Sequence, residues 1–191
     1  PHLTGNFFTI NLKEAREAFE QVPWVRQAEV RREYPNSLRV ILLEHEAQAY
    51  WGPDTGTSMV NTMGEVFEAN VGEVEREGLP RLSGPQGSAA DVLRMFYALE
   101  PAFKDMGAPP IDALTLRDGG SWLVQLDNGA QIELGGGKEQ DVLQRIQRFV
   151  RTLPQITQQY QRTTEALEYA DLRYPDGYAL RLRGVTTVSR E

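Results

Sequence analysis

The residues that could do chemistry come first. Gly135-Gly136-Gly137-Lys138 invites a phosphate-cradling reading, because backbone N–H groups in such loops hold anions. That loop needs a glycine five residues before its Gly-Lys pair and a serine or threonine after it, and those positions are Ile132 and Glu139. The run reads better as a flexible strand-to-helix connection. His45 lies between Glu44 and Glu46, and the only other histidine is His2, so the spacing for a zinc helix motif or a histidine cluster is missing. With no Gly-x-Ser-x-Gly elbow, a Ser-His-acid triad would have to be built on His45. The 27 acidic residues leave one enzymatic option open, since two carboxylates about 5 to 9 Å apart suffice for glycoside hydrolysis. Spacing along the chain cannot show such a pair, and exposed acidic residues more often solubilise.

Composition narrows the classes further. A net charge of -7 over 191 residues repels phosphate backbones and argues against DNA or RNA as partner. The absence of cysteine excludes disulfide frameworks and thiolate metal sites. No cofactor and no metal are expected. No apolar run approaches the roughly 20 residues that span a bilayer, and the start at Pro1 lacks the order of a signal peptide, so the chain as it stands is expected to be soluble. It opens without an initiator methionine, as an excised piece of a longer protein does.

Periodicity supplies the elements. Leu12, Ala15, Phe19 and Val22 share one helical face, with Asn11 and Glu14 as a capping-box start and Pro23 as a stop. From Val25 to Tyr34 the residues alternate, with Ala28, Val30, Arg32 and Tyr34 on the inner side. Pro35-Asn36-Ser37 turns the chain into Leu38 to Leu43, apolar enough on both faces for an inner strand. Short strands follow at Ala47 to Trp51, Ser58 to Asn61 and Glu65 to Phe67, then an acidic loop over Glu68 to Gly78. A helix opens at Ser88 and carries Val92, Leu93, Phe96 and Leu99, and Pro101 should kink or restart it. Asp118-Gly119-Gly120 and Asn128-Gly129 join an antiparallel meander with Leu114, Leu116, Trp122, Val124, Leu126, Ile132 and Leu134 inward. A second helix bears Val142, Leu143, Ile146, Phe149, Val150 and Leu153, ended or bent by Pro154. Trp24 and Trp122 are expected in the core and Trp51 between domains. A last hairpin pairs Leu167 to Tyr174 with Tyr178 to Leu182 across Pro175-Asp176-Gly177, leaving an outermost strand.

Several strings, in order, resemble the FtsQ/DivIB family of bacterial cell-division proteins. They are Val22-Pro23-Trp24-Val25 leading to Val30-Arg31-Arg32-Glu33-Tyr34-Pro35, then Leu79-Pro80 with Gly84-Pro85-Gln86-Gly87-Ser88, and Tyr169-Ala170-Asp171-Leu172-Arg173-Tyr174. The resemblance implies an α+β chain: a partial POTRA module over residues 1–45, then a mostly antiparallel β-domain with two amphipathic helices over 46–184. It implies that a membrane anchor and the first strand and helix of the POTRA module lie upstream of Pro1, and that the domains work on the periplasmic face of the inner membrane. The tail at 185–191 is expected to be disordered on its own composition.

The resemblance also implies partners. FtsB, and through it FtsL, would be held by Arg117, Arg173, Tyr174, Gly177, Tyr178, Leu180 and Leu182, with Leu182 standing where some relatives carry tryptophan. FtsK would be met by the POTRA surface at Gln27, Val30 and Arg32. The expected function is a noncatalytic divisome scaffold. The alternative is an extracytoplasmic peptidoglycan hydrolase using paired carboxylates. A POTRA-bearing transport component is disfavoured, because no internal repeat is visible.

Overall fold

A computed structural model describes residues 7–53, 57–69 and 78–186. Helix α1 (Leu12–Glu20) begins where Asn11 accepts from the backbone N–H groups of Lys13 and Glu14 and donates its amide to the Glu14 carboxylate at 2.8 Å. The helix stops at Glu20 and leaves Val22 exposed, short of the expected end, because a residue before proline is pushed out of the helical region. Ala15 is buried, whereas Phe19 is only half-buried.

Strands β1 (Val25–Glu33) and β2 (Ser37–Glu44) pair antiparallel through Val30↔Val40, with a bulge after Val25. Val25 and Ala28 face inward. Tyr34 does not, and its exposed ring meets the edge of Phe7 at 5.7 Å. Among the described residues β2 pairs with β1 alone, so it is not the inner strand expected, and Ile41, Leu42 and Leu43 are exposed.

The remaining strands form one nine-stranded mixed sheet. Its members are β3 (Ala47–Trp51), β4 (Ser58–Asn61), β5 (Val66–Glu68), β6 (Arg81–Ser83), β7 (Ile111–Leu116), β8 (Trp122–Leu126), β9 (Gln131–Gly135), β10 (Leu167–Asp171) and β11 (Ala179–Leu182). They lie in the order β11-β10-β9-β8-β7-β6-β3-β4-β5. Most pairs are antiparallel, but β3 with β6, β6 with β7, and β9 with β10 run parallel. The last of these follows from α3 (Glu139–Gln159), which carries the chain back from the end of β9 to the start of β10. Of the acidic loop expected over Glu68 to Gly78, residues 70–77 lie outside the described residues.

Helices α2 (Ala89–Asp105) and α3 touch each other and cover the face made by Leu82, Leu114, Val124, Ile132 and Ala170. Both continue through their prolines as one unbroken helical segment, so neither proline ends or restarts its helix. Pro101 and Pro154 sit on the exposed side, while Leu99 and Phe103, and Leu153 and Thr157, are buried on either side of them. That burial outweighs one lost helical hydrogen bond at each site. At the C-terminus Val185 still packs against the core, so ordered packing extends beyond Gly184, and residues 187–191 lie outside the described residues.

The two sheets meet at an aromatic and ionic junction. His45 stacks on Phe67 at 4.3 Å and Trp24 meets the same ring edge-on at 5.4 Å. Trp51 instead packs against the core of the large sheet, so the two tryptophans exchange the places expected of them. Arg26 donates to Glu65 at 2.6 Å, and Asn61 donates both to Glu65 and to His45 Nδ1. Asn61 is fixed in this orientation, because its carbonyl accepts from the N–H groups of Met63 and Glu65. Arg26, with Asn61, holds the Glu65 carboxyl down to about 2 from an ordinary 4.5. A carboxyl depressed on folding stabilises the fold above its unfolded value and loses that contribution as pH falls. The junction should therefore loosen as pH drops from about 4.5 towards about 2, read by Trp24 fluorescence, and Glu65→Gln should flatten that limb. Identical acid limbs for the two chains would contradict this.

Candidate functional site

The last hairpin forms one end of the large sheet. β11 is its outermost strand, paired on one side with β10 through Ala170↔Leu180 and Asp171↔Ala179. The Arg183 N–H donates inward to the Ala166 carbonyl. Because N–H groups alternate sides along a strand, those of Leu182 and Leu180 point to the free edge. The Leu182 carbonyl is already taken by the N–H of Val185, which leaves a short template centred on Leu180.

Charge is laid out in a row beside it. Asp171 is nearly buried and accepts from Arg173 through Nε at 2.8 Å, Nη2 at 2.6 Å and the backbone N–H at 3.1 Å. The Arg173 hydrogen bonds hold the Asp171 carboxyl below its usual range, and the guanidinium pKa is raised in return. On the neighbouring strand Glu133 stands in register with Asp171 and accepts a two-pronged contact from Arg117 at 2.8 and 2.9 Å. Glu133 and Asp171 thus stand side by side across the sheet end, flanked by Arg117 on one side and Arg173 on the other.

Gly135 explains a portion of the glycine run. Its φ is +75°, and a Cβ there would meet Arg173 Cγ at 3.1 Å and Arg145 Nη2 at 3.6 Å. The glycine lets two arginines close over the end of β9, in a packed junction where a flexible connection was expected. Gly177 is different, since a Cβ there would meet nothing within 4 Å.

The site residues expected from sequence are partly gathered. Arg117, Arg173 and Tyr174 lie together, and the Tyr174 ring is 54% exposed. Tyr178 turns towards α3, its hydroxyl 2.6 Å from Thr152 Oγ1 and its ring edge-on to Phe149 at 5.0 Å. Leu180 packs partly against the core, and Leu182 is 3% exposed within it. Leu182 therefore anchors the strand from inside and does not present the apolar side chain expected at a partner face. On the first sheet Gln27 is exposed and Val30 half-buried, but Arg32 donates to the carbonyls of Phe7 and Ile10 at 3.0 and 2.7 Å. Its guanidinium braces the approach to α1.

Sequence reasoning missed the α3 face beside the hairpin. Arg145, Arg148, Thr152, Ile156 and Tyr160 recur at helical spacing next to the buried stripe, a signal present in the sequence and masked by the stronger one. Arg148 donates to the carbonyls of Pro175 and Tyr174. A groove of about 470 Å³ lies between α3 and the 173–175 segment, and another of about 500 Å³ runs between Ile156, Tyr160, Leu180 and Arg181. Among the described residues no three His, Cys, Asp or Glu side chains group as a metal site, and no helix is long and apolar enough to cross a membrane.

A small α+β module is joined here to a mixed sheet that ends on an open strand. Residues 2–45 match the family model "POTRA domain, FtsQ-type", and residues 49–173 match "Cell division protein FtsQ/DivIB, C-terminal". The chain is 45% identical over 184 residues to the cell division protein FtsQ of Burkholderia pseudomallei, covering 96% of this chain and 70% of that one. It is 41% identical to FtsQ of Thiomonas arsenitoxydans, over 97% of this chain and 67% of the relative, and 40% identical to FtsQ of Bordetella pertussis, over 93% and 68%. The chain belongs to the FtsQ/DivIB family of cell division proteins.

Proposed function

We propose that this chain is a noncatalytic divisome scaffold, built from a POTRA module over 1–45 and a β-domain over 46–184, that works on the periplasmic side of the inner membrane. It captures FtsB, and with it FtsL, by adding a partner strand to β11. The observation that carries this reading is the position of β11 at the end of the sheet with the Leu180 N–H and carbonyl turned outward. The opposite edge, β5, is three residues long and is occupied at Phe67 by Trp24 and His45 from the first module. FtsK is the proposed partner of the POTRA surface, with Gln27 and Val30 as its contact residues and Arg32 supporting them from within.

The carboxylates argue in the same direction. Glu133 and Asp171 stand side by side, but each is neutralised by an arginine, and Asp171 is held down where a glycosidase acid must be held up. Two measurements test the proposal. The purified chain should pull down FtsB-type and FtsL-type extracytoplasmic segments, and it should release no glycan or peptide fragments from cell wall. Wall turnover abolished by one Asp or Glu substitution would overturn the scaffold reading in favour of a hydrolase.

A further inference from the structure

Among the described residues none of the three arginines of α3, Arg145, Arg148 and Arg151, makes an ion pair, and the first two share a groove. Arg145 and Arg148 sit three residues apart on one helix face. Each guanidinium carries five N–H donors. Arg145 gives one protein contact, to the Gly136 carbonyl, and Arg148 gives contacts to the carbonyls of Pro175 and Tyr174. The Nε atoms of both are shut off from solvent without an acceptor. Those are the only two such side-chain atoms among the described residues, and both border one groove. A buried donor without an acceptor is the arrangement a folded protein avoids unless something arrives to satisfy it.

The surroundings say what would arrive. Arg173 closes the same groove, already committed to Asp171, and the only other acid on the lining is the exposed Asp141. In a chain of net charge -7, this is a pocket with an excess of positive charge. A planar guanidinium pairs with carboxylate in a fork geometry, and two on one face can hold both oxygens. Along α3 the character then changes. Past Thr152 and Tyr178 the helix meets β11 at Ile156 and Tyr160, beside Leu180. The groove at the hairpin turn is thus cationic, and the second groove, along the edge strand, is mostly apolar apart from Arg181.

We propose that the groove between α3 and the Arg173–Pro175 segment is an acceptor for an acidic side chain of the docked partner, whose carboxylate bridges Arg145 and Arg148 beside Tyr174. This rests on the β11 docking reading and sharpens it. The partner segment carries Asp or Glu at the end that lies against Tyr174 and apolar residues at the end that lies against Ile156 and Tyr160. Its charge fixes the direction in which the strand is laid down.

The test is a binding cycle on the whole chain. The probes are an FtsB-type extracytoplasmic segment and the same segment with its Asp and Glu residues changed to Asn and Gln. Arg145→Gln with Arg148→Gln should weaken binding of the acidic segment by about tenfold or more beyond whatever loss it causes with the neutralised segment. Added salt should erode the difference. Equal loss with both segments would mean that the arginines only brace the hairpin, and the inference would fall. A double variant that binds the acidic segment like the parent, while Leu180→Pro does not bind, would also sink it and leave the edge reading standing. Leu180→Pro binding like the parent would remove the edge reading and this inference together.

Discussion

Tyr174→Ala should weaken capture of an FtsB-type segment by about thirtyfold or more while the chain keeps its melting temperature. The ring is more than half exposed and lies outside the core cluster, so its removal leaves the sheet intact. Its backbone is held independently, because Arg148 grips the carbonyls of Tyr174 and Pro175. What is lost is a large amphipathic surface beside the open edge, and truncating an aromatic anchor of that kind commonly costs about 2 kcal/mol or more. Leu180→Pro is the companion variant. The Leu180 N–H points outward, so proline removes a donor the arriving strand needs and leaves the bonds to β10 in place. Circular dichroism should match the parent and binding should be lost. Two folded variants that bind normally would place the partner elsewhere.

Phe149→Ala should cost about 3 to 5 kcal/mol of stability, the usual range for truncating a fully buried phenylalanine. Phe149 has no exposed surface and lies between the α3 stripe and the Tyr178 ring. At about 2 to 4 °C per kcal/mol for a chain of this size, thermal melting should fall by at least about 6 °C. The loss should also spread to docking, since Tyr178 hangs on Phe149 and Thr152 and sets the start of β11. Phe19→Ala is expected to cost clearly less, because that ring is only half-buried and α1 covers a sheet of two strands. Equal losses at the two positions would contradict the burial argument.

Local chemistry made much of this legible beforehand. Pro175-Asp176-Gly177 marked the hairpin, the Asn11–Glu14 pair marked the start of α1, and alternation in β8 placed Trp122, Val124 and Leu126 inward. What escaped was set by distant partners. The parallel pairing of β9 with β10 depends on where α3 lands. In a strand as short as β11 a slight phase error decides whether Leu182 faces a partner or the core. Pro101 and Pro154 followed burial over local propensity, and the place of Trp24 depended on Phe67, more than 40 residues away. The arginines without ion pairs could not be seen as such, because a sequence does not show which charges are paired.

The strand order also has a mechanical meaning. The first module grips the sheet at the β4–β5 end, through Asn61, Glu65 and Phe67, and the proposed partner grips it at β11. Eight spacings of about 4.8 Å separate these grips, a lever of at most about 38 Å. A constricting cell that pulled on both would load the sheet along its hydrogen bonds, the direction in which neighbouring strands separate by peeling. The thinnest seam is β3 with β6, joined by only Tyr50↔Arg81 and Trp51↔Leu82. Separation would begin there, one strand in from the first module's grip and far from the partner's.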